Sequence, residues 1–347
     1  MDMGRSFKIN FKEDAAIFQN LWVRIWFMIF MGLMAASGLF LGRFELSILN
    51  QMGIAVIGAI GLNLLIGYTG QISLGHGAFL AIGGYTSALL TGKLGFPFPL
   101  SLLASGCMAA GLGMIVGIPS LRLKGLYLAL GTLAFSFIVE YVLFHWDLTQ
   151  GDLGMPVQPI DLLGLVIKTE REFFFLILVI ASLATLCAKN LVRSKIGRSF
   201  IAIRDRDVAA EAMGIPLAQY KVMAFGISSF YGGIAGCLTA HYNQWIVPGS
   251  FDISVSIAYI AMTIVGGLGS ILGSILGAIL ITGVPYGIVY TTDLLKHGYP
   301  AVSMMIVDVK LAIFGFIIVA TLLVEPRGLF GVYRRAKIYF KTWPFKY

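Results

Sequence analysis

From Leu21 onward the chain is dominated by apolar runs of fifteen to twenty-one residues, separated by short clusters of glycine, proline and charge. Roughly 20 apolar residues in a row are what an α-helix needs to cross the hydrocarbon core of a bilayer. Reading the runs against turn and charge punctuation predicts about ten helical spans, at 21–41, 46–66, 78–92, 99–118, 125–145, 172–188, 222–241, 253–268, 270–290 and 307–324. The runs at 78–92, 172–188 and 253–268 are short for a full crossing and predict tilted, broken or re-entrant helices. The fold class expected is an all-α, polytopic membrane helical bundle. Residues 35–38 in the first run imitate a signal cleavage site, but the run is long for a signal segment and reads as an uncleaved span.

Composition sharpens this picture. Of 347 residues, 58% are hydrophobic and only 12% charged, against about a quarter charged in soluble domains. One membrane domain at 21–324 is expected, flanked by a polar segment at 1–20 and a polar tail at 325–347. The net charge of +8 comes from basic residues in the loops, so it reads as a topology signal in contact with lipid rather than as a nucleic-acid surface. Ten spans would leave six of the 25 Lys and Arg on one side: Arg43, Lys93, Lys168, Arg171, Lys296 and Lys310. The other nineteen mark the cytoplasmic side, which would then hold both termini and the charged loop 194–221. Cys107, Cys187 and Cys237 each sit in an apolar run and form neither a disulfide framework nor a zinc pattern.

One polar interruption stands out. "GYTGQISLGHGAF" at 67–79 places four glycines among polar residues between two apolar runs. Backbone without helix at membrane depth is tolerated only where protein or a water-filled cavity satisfies it. Gly67, Gly70, Gln71, Ser73, Gly75 and His76 are therefore candidates for a pathway or gate, the alternative being a packing turn. His76 reads either as a proton switch or as a satisfied structural group. A faint echo links "IGYTGQISLG" at 66–75 to "VGGLGSILGS" at 265–274, pairing Gly67 with Gly266, Gly70 with Gly269 and Ile72 with Ile271. Gly269, Gly273 and Gly277 recur every fourth residue, a stripe suited to close helix packing.

The segment 204–221 carries helix punctuation: Asp207 as a cap, helix formers to Met213, Gly214 for a left-handed stop and Pro216 beyond it. A helix of about two turns, roughly 10 Å long, is predicted there. It serves either as a docking handle for a soluble protein or as a solvated connection. Among ionisable residues near spans, Glu140, Asp308 and Lys310 read as interfacial, and no relay crosses the bilayer. No catalytic set, metal spacing or phosphate-binding loop occurs in the sequence, so any ATP hydrolysis would belong to another polypeptide.

Taken together, "GYTGQISLGHGAF" (67–79), "RLKGLYLALGTLAF" (122–135), "SKIGRSFIAIRDRDVAAEAMGI" (194–215), "GGLGSILGSILGAIL" (266–280) and "EPRGLFG" (325–331) resemble permease subunits of branched-chain amino acid ABC importers of the LivM type. The resemblance covers most of the chain from about residue 50. It implies a multi-pass protein of the bacterial cytoplasmic (inner) membrane. A second homologous permease, two cytoplasmic ATPases using ATP and Mg, and an extracytoplasmic solute-binding protein are the implied partners. This chain itself binds no cofactor in that scheme. The resemblance assigns ATPase docking to the loop holding Arg204, Asp205, Asp207, Glu211, Ala212 and Gly214. The outer loop 149–164 lacks the glycine-rich stretch common in the family, and the first 45 residues carry little of its pattern. Leucine, isoleucine or valine is the implied solute. Urea or amides through a related permease are the nearest alternative, and an ion-coupled transporter, a channel or a membrane scaffold are alternatives of other kinds.

Overall fold

A computed structural model describes residues 21–162, 164–295, 315, 316, 319, 320, 323, 325 and 328–342. Nine of the ten predicted spans coincide with helices. These are α1 (Leu21–Phe40), α2 (Arg43–Thr69), α3 (His76–Lys93), α4 (Phe98–Gly117), α5 (Leu126–His145), α6 (Glu170–Arg193), α9 (Leu217–Asn243), α10 (Ile253–Gly266) and α11 (Ile271–Leu295). Between α6 and α9 lie α7 (Lys195–Asp205) and α8 (Asp207–Ala212), and α12 (Gly328–Thr342) lies near the end of the chain. Six helices among the described residues are long and apolar enough to cross a membrane: α2, α4, α5, α6, α9, and α10 taken together with the 3₁₀ turn before it. Most of the predicted span 307–324, with Asp308 and Lys310, and the segment 1–20 lie outside the described residues.

Two long helices form the buried centre. α2 and α9 run antiparallel, with Gly61 set against Tyr231 and the Ser228 carbonyl, and with Tyr242 OH donating to Ser47 O at 3.5 Å. Backbones approach closely wherever glycines face each other. A Cβ on Gly83 of α3 would strike the Gly233 backbone of α9, and one on Gly236 would strike the Leu80 carbonyl. Gly106, Gly113 and Gly117 of α4 likewise seat Phe230, Ser229 and Phe225 of α9. Small residues take this role in membranes because lipid is as apolar as leucine, so packing and hydrogen bonds must hold helices together.

The loops gather at two ends. At one end Lys93 Nζ donates to Leu148 O (3.1 Å) and His241 Nδ1 lies 2.9 Å from Gln158 O. There the segment 146–169, expected as a plain connection, forms short strands. β1 (Met155–Pro156) pairs antiparallel with β4 (Trp245–Ile246), and β2 (Ile160–Leu162) with β3 (Leu165–Ile167). At the opposite end the long charged segment after α6 is mostly helical rather than a loop. Ser194 caps α7 by accepting from Ile196 N and Gly197 N, and Phe200 and Ile203 are buried beneath it.

Candidate functional site

At that second end five separate sequence segments converge. α2 stops at Gly70, which takes φ 71° and returns its N–H to Ile66 O at 3.1 Å. α10 stops at Gly267, which takes φ 120° and returns its N–H to Thr263 O at 3.0 Å, and Gly269 before α11 takes φ 73°. The two glycines paired by the sequence echo thus share a left-handed backbone that only glycine adopts without strain. The two breaks also touch. Asn63 Oδ1 accepts from Gly269 N (2.9 Å), while Asn63 Nδ2 donates to Ser270 O (2.9 Å) and Ser274 Oγ (2.6 Å). Asn63 was not singled out from sequence, although an asparagine within an apolar span is itself a signal.

Arg204, near the end of α7, reaches into this contact. Its Nη1 donates to Gly67 O at 2.9 Å, and Nε and Nη2 grip Asp205 Oδ1 at 3.2 and 3.1 Å. The Gly67 carbonyl belongs to the last turn of α2, where no intrahelical donor remains and a cation is favoured. A Cβ on Gly269 would stand 2.8 Å from Arg204 Nη1, and one on Gly70 would stand 3.3 Å from its Cγ. Arg204 therefore engages both Asp205 and the end of α2, while both side chains keep exposed surface.

α8 projects just beyond. Its N-cap is Arg206, with Asp207 as the first helical residue. Instead of closing the helix, Asp207 ties it down: Oδ2 meets Lys124 Nζ at 2.6 Å and Lys221 Nζ at 3.7 Å. The hydrogen bond from Lys124 holds the Asp207 carboxyl below the usual carboxylate range. Lys221, counted from sequence only as a topology mark, is buried. Gly214 ends the helix at φ 83°, with Gly214 N bonded to Glu211 O (2.9 Å) and Ile215 N to Ala210 O (3.0 Å). Ala210 faces inward, whereas Glu211, Ala212, Val208 and Met213 face out, the last two 73% and 85% exposed. A six-residue helix held by an ion-pair hub thus offers two apolar side chains to solvent. Beside it a hollow of about 530 Å³ is lined by Lys124, Asp207, Glu211 and Lys221 among others.

The remaining candidates at 67–79 are mostly enclosed within the chain. Leu74 N donates to Thr132 Oγ1 (2.9 Å), and the space that a side chain at Gly75 would need is taken by the Thr132 carbonyl. Ser73 is buried. His76 is buried, with Nε2 3.1 Å from Gly58 O and its ring edge-on to Tyr259 at 5.2 Å. Gln71 is 6% exposed and neither of its side-chain polar atoms has a hydrogen-bond partner. The glycine stripe divides. Gly269 lies in the turn rather than on a helix, while Gly273 and Gly277 pack within the chain, against Gly266 and the Met262 carbonyl of α10. The last segment joins the cluster as well: a Cβ on Gly328 would stand 2.7 Å from Gly267 N. Among the described residues no group of His, Cys, Asp and Glu could hold a metal ion.

A family model described as "Branched-chain amino acid transport system / permease component" matches residues 45–322. The high-affinity branched-chain amino acid transport system permease protein LivM of Escherichia coli (strain K12) is 34% identical over 242 residues, covering 62% of this chain and 57% of that protein. LivM of Salmonella typhimurium is 32% identical over 253 residues, 66% of this chain and 60% of that protein. A probable LivM of Methanocaldococcus jannaschii is 26% identical over 260 residues, 64% of this chain and 75% of that protein. The matched region thus spans 57 to 60% of the length of the first two relatives. No solved structure matches the chain. With the family model running over residues 45–322 of 347, the chain belongs to the family of permease components of branched-chain amino acid transport systems.

Proposed function

We propose that this chain is a transmembrane permease subunit of an ATP-driven ABC importer for leucine, isoleucine or valine. It pairs with a second, homologous permease. Two cytoplasmic ATPases supply ATP hydrolysis with Mg, and an extracytoplasmic protein delivers the solute. Both termini and the α7–α8 segment lie in the cytoplasm, and about ten spans cross or enter the bacterial inner membrane. The observation that carries this reading is α8: a short helix, pinned by Lys124 and Lys221 through Asp207, with Val208 and Met213 bare at its tip. Two exposed apolar side chains on an anchored helix fit a cleft in a soluble partner.

The same geometry supplies a route for coupling. Movement of α8 pulls on α7, and Arg204 passes that movement to the Gly67 carbonyl and so to both helix breaks. Asn63 keeps the two breaks moving together. The stretch 67–79 then acts as a hinge beside the passage, with Gln71 as its one candidate whose polar atoms are both left unpaired. The test is co-purification from native membranes. A tagged chain should bring down ATPase subunits, and Val208→Asp with Met213→Asp should lose them while still inserting. Retention of the ATPases by that double variant would show that α8 is not the docking helix.

A further inference from the structure

α3 and α10 meet N-terminus to N-terminus halfway along the bundle, and a carboxylate stands at the meeting point. The depth follows from contacts. His76 opens α3 with Nε2 against Gly58 O, and a Cβ on Gly232 would stand 3.3 Å from its ring. Gly58 and Gly232 lie near the midpoints of the 27-residue α2 and α9. Gly77 N donates to Ser256 Oγ at 2.8 Å, and a Cβ on Gly77 would stand 2.8 Å from Phe251 O and 3.1 Å from Asp252 O. The chain therefore descends after β4 at one end and reaches the middle by Asp252. Only there does α10 begin, and its 14 residues span about 21 Å.

Two features at that depth are incompatible with lipid. First, Asp252 is only partly covered and makes no ion pair among the described residues. Its Oδ1 accepts from Ser254 N (3.0 Å), Val255 N (3.4 Å) and Ser254 Oγ, whereas Oδ2 accepts nothing among the described residues. Second, Gly249, Ser250 and Ser254 around it are exposed, so irregular polar backbone lies at the surface of the chain. An unpaired carboxylate at membrane depth marks a solute or ion route, and lipid cannot satisfy non-helical backbone. This face must meet protein, water or a polar solute.

We propose that Asp252 is a solute-binding residue of the translocation pathway, its carboxylate holding the ammonium group of a zwitterionic solute at mid-depth on the face that exposes Ser250 and Ser254. Charge complementarity selects the ammonium, because this acidic side chain has no cationic partner among the described residues. The inference rests on the reading of the chain as an importer permease.

Asparagine caps a helix about as well as aspartate. Asp252→Asn therefore removes the charge and keeps the cap, whereas Asp252→Ala removes both. In proteoliposomes holding the complete transporter, Asp252→Asn should lower leucine uptake by about tenfold or more, with assembly and ATP hydrolysis within about twofold of wild type. Normal uptake with Asp252→Asn would overturn the proposal, and impairment confined to Asp252→Ala would reduce Asp252 to a cap. A second measurement needs no variant. A water-soluble carbodiimide, mapped by mass spectrometry on the wild-type complex, should modify Asp252, and leucine should slow the reaction severalfold. No modification, or modification that leucine leaves unchanged, would overturn the proposal even if the variants failed to assemble. Absence of ATP-dependent uptake in the wild type would instead defeat the importer reading.

Discussion

At the scale of single residues, two side chains connect the α7–α8 segment to the bundle. Arg204 satisfies a carbonyl that the end of α2 leaves open. Lysine keeps the charge but cannot hold Asp205 and Gly67 together in one planar fork. Arg204→Lys should therefore cost about 1 kcal/mol of stability, a partly exposed charged hydrogen bond. It should cost far more in coupling. Solute moved per ATP hydrolysed should fall severalfold in proteoliposomes while ATPase binding persists, and an unchanged ratio would remove Arg204 from the route. Asp207 adds a pH statement. Its folded pKa lies below the unfolded value of about 3.9, chiefly through the Lys124 hydrogen bond. Its contribution is therefore present above the unfolded pKa and is lost as pH falls through the folded one. Between about pH 5 and 8 the placement of α8 should not change, measurable as a constant spin-label distance between positions 127 and 211, which leaves Lys124 in place. A shift of that distance within the range would show that Asp207 is not the anchor.

At the scale of elements, the hairpin α10–α11 is held by glycine against glycine. A Cβ on Gly273 would stand 2.7 Å from Gly266 O and 2.8 Å from Gly267 O, so the stripe serves this chain's own fold. Gly273→Leu overpacks backbone against backbone and should destabilise the subunit by about 3 kcal/mol or more. The check is its melting temperature in detergent, and an unchanged value would mean that the hairpin opens without cost. α8 was readable from its punctuation because Gly214 and Pro216 act locally. The role of Asp207 was not, since its partners Lys124 and Lys221 lie far away or across Pro216 in sequence. α3 and α10 were legible as short helices, tilted, broken or re-entrant, but the place where each begins was not. Apolar periodicity reports what surrounds a residue and not how deep a preceding loop has travelled. Asp252 consequently reads in sequence as part of an outer loop, and only its contact with Gly77 reveals where it stands.

At the scale of the whole molecule, helix count and polarity patterns agree with a bundle in which loops alternate between two ends. The basic residues tied to α8 share one end, and the strand pairs share the other. Segments separated by hundreds of residues, from Gly67 to Gly328, meet at the first end because helices returning through a membrane bring their turns into one layer. On the proposed reading, that arrangement would join a soluble motor to the two helix breaks and leave the polar surface around Asp252 for a passage shared with a second permease. The most direct test is uptake of radiolabelled leucine into proteoliposomes containing this chain, its permease partner, the ATPases and the binding protein. The account predicts accumulation that requires ATP, the ATPases and the binding protein together. Uptake driven by an ion gradient without ATP, or ATP-dependent uptake of urea but not of leucine, isoleucine or valine, would contradict it.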